Sequence, residues 1–115
     1  MKTLEDKNRL IAEFMGIKTL RYHEGIDDDR YYFHDLEFPF LEPGDMKYNS
    51  SWNWLMPVGK KCKELLIRPK NGEEVYMLEY LEGMFFSFNV NLAFESVVEF
   101  IEWYNEENKT NKYAI

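Results

Sequence analysis

The stretch of this chain richest in chemically active residue types is 23–35. It holds His23, Glu24, Asp27, Asp28, Asp29, His34 and Asp35, all of which can ligate a metal. So many carboxylates would suit a hard divalent ion, with His23, Asp27, Asp29 and His34 as the candidate ligands. The spacing is not that of an EF-hand loop, which alternates its oxygen ligands around a central Gly and closes on Glu. It also contains no His-x-x-x-His zinc pair. The plainer expectation is an acidic turn between two strands.

Nucleophilic catalysis requires Ser or Cys beside a base that a third group orients. Cys62 has no flanking signature, and Ser50, Ser51, Ser87 and Ser96 all fit ordinary capping, strand or helix roles. His23 and His34 are the side chains that titrate near neutrality. The chain has no glycine-rich phosphate loop of the P-loop or dinucleotide type. The sequence therefore offers no catalytic set and no cofactor motif. A small divalent-metal-binding domain or metal-dependent enzyme built on 23–35 stands as the alternative to a non-enzymatic protein.

Composition bounds the scaffold that must position these groups. A chain of 115 residues suits one hydrophobic core, so the expectation is a single domain over 1–106 with a frayed tail at 107–115. Apolar residues make up 45% and aromatic residues 17%, which excludes disorder for the bulk of the chain and leaves rings to spare for outside contacts. The net charge of −7, from 14 Lys and Arg against 21 Asp and Glu, argues against a phosphate-backbone binder. The charged start MKTLEDKNRL and the lack of an apolar run near 18 residues predict neither a signal peptide nor a membrane span, hence a cytoplasmic protein. The single Cys62 agrees, and its inward helical position makes it a small core hydrophobe.

The periodicity predicts three helices. Thr3 and Asp6 form a capping-box pattern ahead of Leu10, Ile11, Phe14 and Met15, giving a helix over about 4–15 that Gly16 ends. Ser50 or Ser51 caps a second over 51–66, with Leu55, Val58 and Cys62 inward and Pro57 imposing a kink or a 3₁₀ first turn. Asn91 caps a third over 92–106, with Phe94, Val97, Val98, Ile101 and Tyr104 as its stripe.

Between them, 17–23 and 30–37 read as short strands, and 74–81 and 84–90 as a hairpin turning at Glu82-Gly83. Apolar residues on both faces of that hairpin imply burial on both sides. The predicted fold is α+β, a small mostly antiparallel sheet containing the 74–90 hairpin and covered by the three helices. Phe14, Trp54, Leu55, Val58, Phe86, Val97, Ile101 and Tyr104 are the expected core.

Three strings carry a resemblance: NRLIAEFMG at 8–16, YNSSWNWLMPV at 48–58 and VVEFIEWYNE at 97–106. They resemble a group of small phage and prophage proteins of Bacteroidetes, which share an SWDWLMPVVEKIE segment and a closing AVVEFIKWYNE helix. Asn53 stands where that pattern has Asp, and Gly59-Lys60 where it has Val-Glu. The resemblance implies a phage or mobile-element origin and brings no activity or catalytic residue. With the exclusions above, it points to an accessory protein that binds an unidentified protein, with the acidic surface favouring a basic partner. Tyr22, Tyr31, Tyr32, Phe38, Phe40 and Trp52 are the rings expected to make the contact.

Overall fold

The computed structural model describes residues 2–17, 19–20, 30–33, 36 and 40–112. The chain divides into two compact units, Met1–Lys47 and Tyr48–Ile115. The first begins with helix α1, Leu4–Phe14. Its cap is reciprocal: the Asp6 N–H donates to Thr3 Oγ1 and the Thr3 N–H donates to Asp6 Oδ2, both at 3.2 Å. These bonds to Thr3 hold the Asp6 carboxyl below its ordinary range. Gly16 leaves the helix at φ +74°, a left-handed conformation that glycine adopts without a Cβ clash.

The inward face of α1 carries Ile11 and Ala12, both fully buried, and also the polar Asn8. Asn8 Nδ2 donates to the carbonyls of Pro43, at 2.8 Å, and Met46, at 3.4 Å, fastening the 3₁₀ turn Pro43–Asp45 against the helix. Three short strands, β1 (Thr19–Leu20), β2 (Arg30–Tyr32) and β3 (Phe40–Leu41), pair antiparallel in that order. Tyr31 sits opposite Thr19 on one side and Leu41 on the other.

The regular structure described in the second unit is all helical: α2 (Trp52–Leu65), α3 (Gly72–Phe86) and α4 (Val90–Lys112). Helix α4 packs against both α2 and α3. The core is formed by Leu55, Val58 and Cys62 of α2, Met77 and Leu81 of α3, and Phe94, Val97, Val98, Phe100 and Ile101 of α4. These fall three and four apart within each helix, so burial of one stripe per helix accounts for the packing.

Helix α2 starts with the Ser51 carbonyl accepting from both the Trp54 and Leu55 N–H groups at 3.1 Å, so the turn before Pro57 is shared between i−3 and i−4 bonding. Ser51 holds the cap position without its side chain bonding the helix. Gly59, where the resembled pattern has Val, is explained by its neighbour. A Cβ there would lie 2.6 Å from Cε2 and Cζ of Phe85, so α3 lays a ring where α2 has no side chain.

The α+β expectation is corrected. The 74–90 hairpin does not exist, because Gly72–Phe86 is one continuous helix. The described extended residues are pairings of two and three residues, too short to form a sheet that three helices could cover. The cause is local as well as tertiary. Eight of the fifteen residues of α3 are Glu, Leu or Met, all strong helix formers. Asn71 Oδ1 accepts from the Glu74 N–H at 2.9 Å while the Glu74 carboxylate accepts from the Lys70 N–H, so the Asn71-Gly72 pair opens a helix instead of a turn.

Two further expectations change. Helix α4 begins at Val90, capped by Asn89 in place of Asn91: Asn89 Oδ1 accepts from the N–H groups of Asn91, at 3.0 Å, and Leu92, at 3.2 Å. It runs to Lys112, into the 107–115 segment expected to fray. Within the expected core, Leu55, Val58, Val97 and Ile101 are fully buried, Phe14, Trp54 and Tyr104 are half-buried, and Phe86 is 74% exposed.

Candidate functional site

Helix α3 carries apolar residues on two opposite faces. Met77 and Leu81 face the core, while Val75, Glu79, Glu82 and Phe86, spaced i, i+4, i+7 and i+11, form a stripe on the far side. Apolar residues on a helix ordinarily face its packing partners. This one leaves Val75 41% exposed and Phe86 74% exposed. Beside the stripe Tyr76 stacks on Tyr80, with centroids 6.4 Å apart and planes 11° from parallel. Burial, then a hydrogen bond to Glu99 and the charge of that carboxylate, push the Tyr80 phenol above its ordinary value.

At the C-terminal end of α3 the chain turns through Ser87 and Phe88. Ser87 Oγ donates to the Met84 carbonyl at 2.6 Å, and the Asn89 N–H donates to Ser87 Oγ at 3.3 Å. Between them Phe88 adopts φ +59° and is 85% exposed. Helices commonly end in this left-handed conformation, but with Gly or Asn, since a bulky residue there suffers a Cβ–backbone clash. Caps on either side hold a strained backbone that displays an unburied ring, a pattern that clusters at functional sites.

The electrostatics of this hairpin are one-sided. Residues 71–108 contain nine glutamates, at 73, 74, 79, 82, 95, 99, 102, 106 and 107, and no lysine or arginine. The preceding segment is opposite in sign, with Lys60, Lys61, Lys63, Arg68 and Lys70 against Glu64 alone. Lys63 Nζ meets Glu82 Oε1 at 3.5 Å between the two, a pair too exposed to contribute much stability. The site therefore combines exposed rings with an excess of carboxylates, which equips it to hold a protein surface by apolar contact and charge.

Cys62 is fully buried, and burial pushes its thiol up to about 12, the environment of a structural cysteine and not of an activated one. Among the described residues, no three His, Cys, Asp or Glu side chains are placed to hold a metal ion. Among them, too, no helix is long and apolar enough to cross a membrane.

The residues singled out from sequence fare unevenly. His23, Asp27, Asp29, His34, Tyr22 and Phe38 lie outside the described residues, and Phe40 is described only as part of β3. Tyr31, expected to be an exposed contact ring, is 1% exposed on the central strand β2, which corrects that placement. Tyr32 is 39% exposed. Trp52 is half-buried and meets Phe85 of α3 edge-on at 5.9 Å. Trp54 packs edge-to-face on Tyr48 at 5.1 Å.

Val75, Phe86 and Phe88 were missed as surface residues because a strand assignment buried them. The signal was present in the sequence, since Asn71-x-x-Glu74 is a capping pattern and 75, 79, 82 and 86 have helical spacing. No protein-family model, curated protein or solved structure matches the chain.

Proposed function

We propose that this chain is a phage- or mobile-element-type accessory protein, acting without catalysis in the cytoplasm of a bacterial host by binding another protein. The contact surface is the outer face of α3 and the corner that follows it. The observation that carries this reading is the pair of unburied rings Phe86 and Phe88, the second displayed on a left-handed backbone at the end of a helix. Rigid aromatic side chains supply much of the energy of protein interfaces, and these two lie only two residues apart at one corner. The rings Tyr32 and Trp52, expected from sequence, are secondary because each is at least partly covered.

The test is affinity capture from host lysate with the native chain and a Phe86→Ser/Phe88→Gly variant side by side, with folding checked by circular dichroism. A protein retained by the first and lost by the second supports the proposal. Identical capture profiles from two folded proteins would refute it.

A further inference from the structure

Resting on that docking surface, we infer that its occupant is a cationic amphipathic segment of another protein, about three helical turns long, with apolar anchors at its ends and Lys or Arg between them. The stripe on α3 runs Val75, Glu79, Glu82, Phe86, so its apolar residues lie at the ends and its carboxylates in the middle. At 1.5 Å rise per residue, Val75 and Phe86 are about 16 Å apart along the axis. A helix laid along this face meets it with residues at i, i+4, i+7 and i+11 in the order apolar, basic, basic, apolar. Tyr76, 64% exposed and stacked on Tyr80, offers a ring face beside the carboxylates where a guanidinium can lie.

Charge decides between occupants. A second copy joined through the same patch would set the Glu79 and Glu82 carboxylates against their own equivalents and bring no further cation from 71–108, while Lys63 is already engaged by Glu82. An anionic lipid surface is repelled for the same reason. A basic segment meets both requirements of the stripe, and its encounter with the acidic hairpin is accelerated by long-range attraction.

The probe is a fluorescein-labelled helical peptide with Leu, Lys, Lys and Leu at i, i+4, i+7 and i+11 on an Ala and Gln background, titrated with the full chain by fluorescence anisotropy. Saturable binding is expected, weakening as salt rises. Glu79→Lys/Glu82→Lys should reduce affinity at least tenfold, and a peptide with Glu in place of both Lys should recover it on that variant. Glu79→Lys alone keeps the Lys63–Glu82 pair and serves if the double variant fails to fold.

Absence of binding, indifference to charge reversal, or sedimentation showing self-association through Phe86 and Phe88 would overturn the inference. The docking surface itself is judged separately. A lysate partner lost with Phe86→Ser/Phe88→Gly but insensitive to Glu79→Lys leaves that surface standing and removes the cationic occupant.

Discussion

The backbone at Phe88 allows a test in which stability and function move in opposite directions. A non-glycine residue in the left-handed region carries a penalty of about 1–2 kcal/mol from its Cβ. Phe88 has φ +59° and is 85% exposed, so its ring returns almost no burial energy against that strain. Phe88→Ala keeps the Cβ and should leave stability within about 0.5 kcal/mol of the parent. Phe88→Gly removes the Cβ and should stabilise by about 1 kcal/mol, once the larger entropy of glycine in the unfolded chain is set against the relief. The difference between the two variants isolates the backbone, because both delete the ring. Urea melts followed by far-ultraviolet circular dichroism give it directly, and an unchanged m-value shows that the unfolded state has not shifted. If Gly and Ala prove equal, or Gly is the less stable, the corner is not strained and the case for a displayed ring loses its backbone support. If Gly is the more stable and also loses the partner, the chain keeps a costly residue for binding, the usual form of a stability–function trade-off.

The remaining predictions concern packing and titration. Gly59→Val should cost about 1–3 kcal/mol by overpacking against Phe85, and should be neutral or better in a Phe85→Ala background, where Val has the higher helix propensity; a double-mutant cycle with no coupling would remove that contact. Ile101→Ala, at a fully buried position on α4, should cost about 2–5 kcal/mol, and a urea-melt loss under about 1 kcal/mol would contradict the α4 stripe. Native Cys62 should resist a disulfide thiol reagent that reacts readily in urea. Because folding raises its pKa from 9.0 to about 12, its contribution to stability is complete below pH 9 and is lost as pH rises from 9 towards 12. Cys62→Ala should flatten that part of the alkaline stability profile, and an unchanged slope would place the thiol in water.

Much of the scaffold was legible in the amino-acid order because local signals agreed with one another. In α1, the Thr3–Asp6 box, the inward Ile11 and the terminal Gly16 indicate the same helix, and in α2 the inward Leu55, Val58 and Cys62 do so. The stripe Phe94, Val97, Val98, Ile101 placed α4 in the core for the same reason, and a thiol on an inward face was bound to be buried. The segment 72–86 was ambiguous from periodicity, because apolar residues on both faces satisfy a two-residue and a 3.6-residue period equally well, and only the Asn71-x-x-Glu74 cap spoke for a helix.

The fold class, the core role of Met77 and Leu81 and the exposure of Phe86 all depended on that choice. The Asn71 cap favours the helix locally, and tertiary packing fixes it: α4 accepts one stripe of α3, Phe85 needs the space over Gly59, and Trp103 Nε1 donates to Glu73 Oε1 at 2.6 Å across the two helices. Once α3 is a helix, a single face meets α4 and the opposite one must be left outside. That is why Val75 and Phe86 stand in solvent although their residue types alone would bury them.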